Sequence, residues 1–418
     1  MTTADAQTQT ETETETSRAP LPPLPEYDVL QALDTDYYGV FADIPAADRV
    51  FLDRARQFTA EALPLIDDAW DKGEYRLEFA RRLGELDLLT DGVEGPGLTP
   101  MSALAAGLVA AEVHRCDGSL GTIIAVQGAL ALRTIAMFGG DEQKAEWLVP
   151  LARGKRLGAF ALTEPDHGSD SVALATSARR DGDDWIITGR KKWIGNGSVG
   201  DVTVTWARDE EGDVRAFLVP QDAPGYHGET IRRKGSLRAI HQAEITYDNV
   251  RVPADAALPG ARSFADTNRV LAATRLGIAW SALGHAQAIF ESALQYARQR
   301  EQFGRTLGDF QMVQERLVQM LSELTTIQLH LRTLTDRETA GTMRPQQASL
   351  AKYVATRGAR RIAQIGRDML GGNGILLDYG VMRHFTDIEA LHTYEGTESV
   401  QALLVGRDLT RHSAFSGR

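Results

Sequence analysis

Residues 310–334 read FQMVQERLVQMLSELTTIQLHLRTL, and this stretch decides the fold. Its apolar side chains recur at intervals of three and four residues, and they are Phe310, Val313, Leu317, Met320, Leu324, Ile327, Leu331 and Leu334. A helix with this spacing presents one continuous apolar seam, which is typical of packing against near-parallel helices. The stretch therefore predicts one member of a helical bundle.

The chain that follows predicts a second bundle helix. Pro345 suits its first turn, because proline lacks an N–H group that would be unpaired there in any case. Gly371-Gly372 predicts its end, since glycine is the usual residue just beyond a helix. One face of this helix carries small and apolar residues that permit close contact, namely Ala351, Val354, Gly358, Ile362, Ile365 and Met369.

The chain before the bundle divides into two blocks with different periodicity. Residues 45–150 follow a helical pattern, with an amphipathic stripe that begins at Phe51. From Gly158 to about residue 260 the pattern becomes that of a sheet. There Asp181-Gly182 predicts a hairpin turn, and Trp185–Thr188 after it predicts a strand.

The order of these blocks predicts a mostly α protein with a β middle domain, and it argues against the alternating βαβ units of a doubly wound sheet. The predicted divisions are a disordered tail at 1–26, an N-terminal helical domain at 27–157, a β domain at 158–262 and a C-terminal helical bundle at 263–418. The tail is predicted because its Thr-Glu repeats and prolines bury too little apolar surface to offset the entropy of ordering.

Composition excludes several classes of partner. The chain has 418 residues and a net charge of −12, which disfavours nucleic acid and anionic membrane surfaces. It has one cysteine and therefore no internal disulfide, which suits a reducing compartment but also fits a secreted protein without bridges, and the predicted location is the cytoplasm. We find no run of about 18 apolar residues and no signal peptide, and the last residues are not a peroxisomal signal.

Nucleotide and metal motifs of the common kinds are missing from the sequence. It contains no P-loop, no Gly-x-Gly-x-x-Gly, no Gly-x-Ser-x-Gly and no His-Glu-x-x-His. We therefore predict no metal site, and any nucleotide cofactor is expected to bind outside a Rossmann fold.

Short stretches with residue types suited to a ligand site occur at five places, namely Leu162–Asp170, Lys192–Gly197, Arg300–Gly304, Asp368–Gly374 and Tyr394–Thr397. Taken alone, each is equally typical of a plainer feature: a surface loop, a core tryptophan, a solvated arginine, a helix cap or a surface glutamate. Their order and spacing together are far more specific than any single one.

In this order the stretches resemble the TEPxxGSD, WIxN, RxQFG, LGGxG and YEGT motifs of the acyl-CoA dehydrogenase superfamily. The resemblance covers residues 46–411, and residues 348–410 are most similar to glutaryl-CoA dehydrogenases and plant peroxisomal short-chain acyl-CoA oxidases. It implies an N-terminal helical domain, a β-barrel-like middle domain and a C-terminal four-helix bundle. It also implies FAD between the last two domains, a role in fatty acid metabolism, and a homo-oligomer, either a dimer or a tetramer.

The resemblance implies the residues of the site as well. The FAD-binding positions are Phe160, Ala161, Leu162, Thr163, Ser169, Trp193, Ile194, Gly195, Arg300, Gln311, Asp368, Met369, Leu370, Gly371, Gly372 and Thr397. Among these, Arg300, Gln311 and 368–372 are expected to serve the FAD of a neighbouring subunit. The acyl-CoA is expected to contact Ser169, Leu271, Arg275 and Gly396.

By the same resemblance, Glu395 removes the α-proton of an acyl thioester while flavin N5 takes a hydride from the β-carbon. Some members of the family carry the base at the position of Thr274, but a threonine cannot act as a base, so Glu395 is the predicted one. Burial against the flavin and acyl chain is expected to raise the pKa of Glu395 toward the working pH. The developing enolate needs preorganised donors, which in the family are a flavin ribityl hydroxyl and the backbone N–H of the same glutamate.

Two positions depart from the family pattern. Gly121 stands where glutaryl-CoA dehydrogenases carry the arginine that pairs with the distal carboxylate. Since a buried carboxylate without a partner is costly, we predict a neutral acyl chain. Gly195 stands where many dehydrogenases have Thr or Ser near flavin N5, and it predicts a small void that could admit oxygen.

The predicted function is therefore FAD-dependent α,β-dehydrogenation of a saturated acyl-CoA, with an electron-transfer flavoprotein as the acceptor. One alternative is an acyl-CoA oxidase that uses O2 and produces H2O2. A second is a flavin-binding relative without turnover, which Glu395 and the intact flavin motifs disfavour. The length of the acyl chain and the pathway do not follow from the sequence.

Overall fold

The computed structural model describes residues 35–413, so the tail predicted at 1–26 lies outside the described residues. Helices fill the first part of the chain: α1 (Ala46–Lys72), α2 (Leu77–Glu85), α3 (Ala103–Cys116), α4 (Gly118–Ile124), a π-helical segment (Ala125–Leu132), α5 (Arg133–Phe138) and α6 (Asp141–Ala152). The apolar stripe predicted from Phe51 is buried on α1 as expected. Ser102 caps α3, because its Oγ accepts a hydrogen bond from the N–H of Ala105 at 3.0 Å.

Within residues 35–413, one helical segment, Gly118–Phe138, is long and apolar enough to span a membrane by length and composition alone. Most of its side chains are buried inside the protein, between the other N-terminal helices, the sheet and the bundle. Burial in the core therefore accounts for its apolar character. Gln127 ties this segment to the sheet, because its Oε1 accepts a hydrogen bond from the N–H of Gly158 at 2.8 Å.

A curled sheet forms the middle of the chain. Its strands are β1 (Gly158–Ala161), β2 (Ser177–Asp181), β3 (Asp184–Gly195), β4 (Val202–Arg208), β5 (Val214–Pro220), β6 (Tyr226–Thr230) and β7 (Gln242–Pro253). The order is β1-β4-β2-β3-β7-β6, and β5 pairs with β4. The predicted hairpin at Asp181-Gly182 is confirmed, since β2 and β3 pair antiparallel with Asp181 opposite Asp184.

Helices return after the sheet and form the bundle. They are α7 (Phe264–Gln299), α8 (Gln311–Thr339), α9 (Pro345–Met369), α10 (Val381–Thr393) and α11 (Glu398–Thr410), with a short hairpin of β8 (Glu301–Gln302) and β9 (Arg305–Thr306). The predicted start of α9 at Pro345 and its end before Gly371 are confirmed. The seam of α8 is buried at its centre, where Met320, Leu324 and Leu331 are inaccessible to solvent.

The predicted fold class is therefore confirmed: helices, then a curled sheet, then a helical bundle. The end of β3 meets the π-helical segment, because a Cβ added at Gly195 would lie 2.5 Å from Cγ2 of Val126. The same segment packs against α7. Sheet, π-helical segment and bundle thus meet around one place, where the candidate site lies.

Candidate active site

Glu395 lies in the short link between α10 and α11, in a backbone conformation that side chains rarely adopt. Its φ is +57°, and Gly396 beside it has a φ of +81°. Left-handed backbone at a non-glycine residue is uncommon and is concentrated at functional positions. Thr397 ends the link as the cap of α11, with its Oγ1 accepting a hydrogen bond from the N–H of Val400 at 3.3 Å.

Two side chains hold the backbone of this link. The ammonium group of Lys352, on α9, donates hydrogen bonds to the carbonyls of Tyr394 and Gly396, the latter at 2.6 Å. Gln401, on α11, donates from Nε2 to the carbonyl oxygens of Glu395 and Gly396, both at 3.0 Å. Both side chains are buried. The link is therefore fixed from two helices, and the strained backbone keeps its shape.

The Glu395 carboxylate is oriented by α7. The Oγ1 hydroxyl of Thr274 lies 3.0 Å from Oε2 of Glu395 and donates a hydrogen bond to it. Arg275, the next residue of α7, turns away from this contact and donates from Nη1 to Oγ of Ser349 at 3.2 Å. Thr274 thus has a role that the sequence did not reveal: its hydroxyl orients the Glu395 carboxylate.

Burial and charge act on Glu395 in opposite directions. Burial raises the pKa of Glu395, whereas Lys352, the Thr274 hydroxyl and Arg275 lower it, and burial prevails. The same burial lowers the pKa of Lys352 to about 7, against the opposing attraction of Glu395. A carboxylate with a raised pKa is a better proton acceptor, as expected for a general base.

A narrow cavity opens beside the Glu395 carboxylate. Thr274, Gly277, Ile278 and Ser281 of α7 form one of its walls, with α3, α4 and the π-helical segment opposite. A larger cavity of about 390 Å³ lies against another face of α7, beside Trp280, but Glu395 does not line it. The narrow cavity, which Glu395 lines, is therefore the candidate ligand site.

The wall opposite α7 explains the missing arginine. A Cβ added at Gly121 would lie 2.1 Å from Cε1 and Nδ1 of His114, so the imidazole occupies the space of any larger side chain. Burial lowers the pKa of His114 to about 4, and the ring is neutral at physiological pH. Among residues 35–413, no lysine or arginine lines this cavity, whose ionisable carboxyl groups are those of Glu395 and Asp91.

The loop after β1 is anchored to β3 by a buried ion pair. Nζ of Lys191 lies 2.9 Å from Oε1 of Glu164 and also donates to the carbonyl of Leu162 at 3.0 Å. Burial acts to raise the pKa of Glu164, but Lys191 and the N–H groups of Ala175 and Thr176 lower it to about 2. The polar loop predicted to bind FAD is thus rigidly joined to the strand that carries Trp193.

The predicted flavin positions on this loop fall into two groups. The side chains of Phe160, Ala161 and Leu162 are buried in the sheet, so they can offer only backbone atoms to a ligand. Thr163 is half-buried and its carbonyl already accepts a hydrogen bond from the N–H of Lys192 at 2.9 Å. Ser169 is exposed, and its hydroxyl is accessible for a phosphate or a thioester arm.

Trp193 leaves the sheet at an irregularity in the pairing of β3 with β7. The register shifts between Lys191 and Ile194, and Trp193 takes a φ of +66° with 56% of its surface exposed. A large exposed aromatic ring beside an open polar loop suits one wall of a flat heteroaromatic ligand. Ile194, by contrast, is buried in the sheet.

The void predicted at Gly195 is absent, and that prediction is wrong. A Cβ there would lie 2.5 Å from Cγ2 of Val126, on the π-helical segment. The valine methyl group therefore fills the space that the missing side chain leaves. The physical reason is tertiary: the sheet and the helix are packed closely enough that only glycine fits between them.

The remaining predicted positions lie at the far end of the bundle. Arg300 and Gln311 are exposed beyond α7, and Asp368, Gly371 and Gly372 are exposed where α9 ends, whereas Met369 and Leu370 are buried in the bundle core. A hydrogen bond from Asn373 to the Tyr296 hydroxyl, 3.1 Å long, joins these two ends. Since α7 runs unbroken, about 38 Å separates Thr274 from this end at 1.5 Å per residue, so these residues do not join Glu395 of their own chain.

Comparison with known proteins identifies the chain. Models of the N-terminal, middle and C-terminal domains of acyl-CoA dehydrogenase match residues 45–155, 159–250 and 264–410. The chain belongs to the acyl-CoA dehydrogenase family. It is 34% identical to the mitochondrial short-chain specific acyl-CoA dehydrogenase of Bos taurus over 394 residues, which cover 91% of this chain and 93% of the relative.

Solved structures agree with this assignment. A glutaryl-CoA dehydrogenase from Mycobacterium smegmatis has 44% identity and a TM-score of 0.89, over 92% of this chain and 99% of that one. Another from the same organism, in complex with FADH2, has 38% identity and a TM-score of 0.88, over 93% of this chain and all of that one. The family member described here is an FAD-dependent oxidoreductase of acyl-CoA thioesters.

The residues present fit a flavin. Trp193 offers an exposed ring, and a Cβ added at Gly168 would meet nothing within 4 Å, so the loop beside it is open to a ligand.

Sequence reasoning missed the two buried lysines, Lys191 and Lys352, and the cavity histidine, His114. Lys352 had a signal: it falls on the small-residue face of α9, four residues after the buried Ala348.

Proposed function

We propose that this enzyme oxidises a short, neutral acyl-CoA to its trans-2-enoyl thioester, with Glu395 as the base that removes the α-proton. The observation that carries the proposal is that Glu395 lines the narrow cavity, with its carboxylate oriented by Thr274 at 3.0 Å and its pKa raised by burial. FAD supplies the acceptor for the hydride from the β-carbon when it is bound.

The chain's own residues prepare the proton transfer. The left-handed backbone of Glu395 is held by Lys352 and Gln401, so the carboxylate needs little reorganisation when the reaction begins. Within residues 35–413 the Glu395 backbone N–H has no hydrogen-bond partner, which leaves it free for the thioester oxygen. Arg275 and the exposed Ser169 are suited to the CoA arm.

The substrate is proposed as neutral because the cavity holds no cation and two carboxyl groups among the described residues. A distal carboxylate would be buried beside them without a partner, which is costly. The proposal of a short chain is supported by the narrowness of this cavity, which is much smaller than the cavity beside Trp280. The short-chain relative from Bos taurus agrees with this size.

The proposed electron acceptor is an electron-transfer flavoprotein, as the family resemblance implies. The packing of Val126 against Gly195 supports a dehydrogenase over an oxidase, because it closes the space through which oxygen was expected to reach the flavin. A homo-oligomer in the cytoplasm, acting in fatty acid metabolism, completes the proposal. Reduced enzyme mixed with aerated buffer should reoxidise much more slowly than the same enzyme mixed with an electron-transfer flavoprotein.

The test of the reaction is the variant Glu395→Gln in the FAD-loaded enzyme, assayed with butanoyl-CoA and glutaryl-CoA. The amide is nearly isosteric but cannot accept a proton, so turnover should fall by about 10²- to 10⁴-fold at unchanged FAD content. The matched control is Glu389→Gln, an exposed glutamate on α10 that pairs with Arg360. Retention of more than about a tenth of the wild-type rate would refute the base, and equal use of glutaryl-CoA would refute the neutral substrate.

A further inference from the structure

A histidine that lines the narrow cavity has a ring nitrogen that no hydrogen bond in the described part of the chain satisfies. His114 lines the cavity and is 1% exposed. Its Nδ1 lies 2.8 Å from the carbonyl oxygen of Ala110. Since a carbonyl can only accept, Nδ1 carries the proton, and the other ring nitrogen, Nε2, is left with a lone pair. Among residues 35–413, Nε2 has no hydrogen-bond partner.

The protonation state of His114 follows from its surroundings. Burial lowers its pKa to about 4, with the hydrogen bond to Ala110 opposing this. Its ring packs edge-on against His285, whose ring centre is 5.5 Å away and whose own pKa is lowered by burial. His114 is therefore a neutral imidazole at physiological pH, and its Nε2 offers a lone pair and no charge.

A second acceptor shares the same cavity. Ser281, 2% exposed, donates its hydroxyl proton to the carbonyl of Gly277 at 3.0 Å. The lone pairs of its oxygen remain available. The carboxylate of Asp91, which also lines the cavity, is a third acceptor and is paired with Arg133 at 2.9 Å. His114, Ser281 and Asp91 thus offer acceptors around this cavity, and the matching ligand group is a donor.

We infer that the cavity selects an acyl chain that carries a hydroxyl group near its distal carbon, with the hydroxyl donating to Nε2 of His114. This inference rests on the proposed function and names its substrate more closely. An unsubstituted alkyl chain would leave the buried Nε2 unpaired, and a carboxylate would place one acceptor against another. The hydroxyl leaves the reacting centre unchanged, because the α- and β-carbons keep the hydrogens that the reaction removes.

The preference for a hydroxyl group depends on two residues together, Gly121 and His114. Gly121 gives the imidazole its place, since any Cβ at that position would meet the ring. His114 is held in one tautomer by the helix carbonyl of Ala110. A fixed acceptor discriminates between substrates because a substrate without a donor leaves the acceptor unpaired. This lowers kcat/KM more than a difference of one methylene group does.

The experiment compares near-isosteric substrate pairs on the FAD-loaded wild-type enzyme. The pairs are 4-hydroxybutanoyl-CoA with pentanoyl-CoA and 5-hydroxypentanoyl-CoA with hexanoyl-CoA, and kcat/KM is measured for each. We expect the hydroxyl member of at least one pair to be favoured by about tenfold or more. Equal or better use of the alkyl member in both pairs overturns the inference.

Variants test whether His114 carries the preference. His114→Phe keeps a flat ring without an acceptor and should abolish the preference, whereas His114→Gln keeps an acceptor near Nε2 and should retain part of it. The ratio of the two kcat/KM values is the readout, because a merely structural role would lower both together. The ratio of kcat/KM values within each substrate pair can be measured on the wild-type enzyme alone. The inference therefore stays testable even if His114→Phe does not fold.

The outcomes separate this inference from the proposed function. If neither butanoyl-CoA nor any member of the pairs is oxidised, the proposed function fails. If butanoyl-CoA and pentanoyl-CoA are oxidised without any hydroxyl preference, the function stands and the inference about His114 fails. A hydroxyl preference that persists unchanged in His114→Phe also contradicts it.

Discussion

At the scale of single residues, Lys352 is the group that most directly governs Glu395. It is fully buried and donates to the carbonyls on both sides of Glu395. Its charge lowers the pKa of Glu395 against the opposing effect of burial. The proposed base works only when it is ionised, so activity is expected to rise with pH as Glu395 loses its proton.

We therefore expect Lys352→Met to move the acid limb of the kcat/KM profile to higher pH, by about one unit or more, because the charge that favours ionised Glu395 is removed. The profile should be measured with butanoyl-CoA at matched FAD content. Lys72→Met, at a largely exposed lysine on α1, is the control and should leave the limb in place. An unmoved limb in Lys352→Met would mean that Lys352 is neutral in the working enzyme.

Gly121 shows how one residue type can be required without any ligand contact. The sequence identified it as the missing arginine position, and the structure supplies the reason: the imidazole of His114 lies where a side chain would begin. Glycine and histidine are thus a matched pair, since neither position can change size alone.

At the scale of elements, the buried pair Glu164–Lys191 joins the loop after β1 to β3. Glu164 is 5% exposed and Lys191 is inaccessible to solvent. Removal of the carboxylate leaves a buried ammonium with only the carbonyl of Leu162 as a partner. A broken buried pair typically costs about 3–5 kcal/mol, far more than an exposed one.

Glu164→Gln should therefore destabilise the enzyme by about 3 kcal/mol or more near neutral pH. Because the folded-state pKa of Glu164 is lowered to about 2, the pair contributes fully above the ordinary carboxyl value near 4.5, and its contribution is lost as the pH falls toward 2. Denaturation at pH 6 and at pH 3 should show a difference between wild type and variant that shrinks on acidification. Glu315→Gln, at an exposed glutamate of α8, is the control, and a pH-independent difference would contradict the assignment.

At the scale of the whole molecule, the candidate cofactor residues lie at two distant places. Trp193 lies on the strand whose end, at Gly195, meets the π-helical segment that forms part of the cavity wall, and Ser169 lies on the loop anchored to that strand. Arg300 and Gln311 are at the far end of α7, about 38 Å from Thr274. One FAD cannot span both places within a single chain. The separation supports the proposal that the cofactor is shared between subunits of an oligomer.

We expect an inactive Glu395→Gln chain and a defective Arg300→Ala chain to complement each other when they are co-expressed. A mixed oligomer contains one site with Glu395 from one chain and Arg300 from the other, and that site is intact. Activity per FAD in the isolated mixed oligomer should exceed that of either variant alone. In the control, Arg81→Ala, at an exposed arginine of α2, takes the place of Arg300→Ala. If the mixed oligomers of Glu395→Gln and Arg300→Ala are no more active than either variant alone, the site is not shared.

Periodicity and motifs in the sequence were enough to predict the elements that have strong local signals. The seam of α8, the proline start of α9 and the Asp181-Gly182 hairpin were all confirmed, because each depends on side-chain spacing or on the backbone preferences of a few adjacent residues. The motif order likewise identified the family and FAD. These features depend on neighbouring residues or on the order of motifs along the chain, so they can be recognised from the sequence without a structure.

The tertiary structure alone decided how the site is held and what shape its cavity takes. Lys352 reaches the backbone of Tyr394 across 42 residues, and Thr274 reaches Glu395 across 121. Val126 fills the space beside Gly195, which the sequence predicted to be empty, and His114 covers Gly121. Contacts of this kind depend on the packing of distant elements to within an ångström, and packing at that precision leaves no periodic trace in the chain.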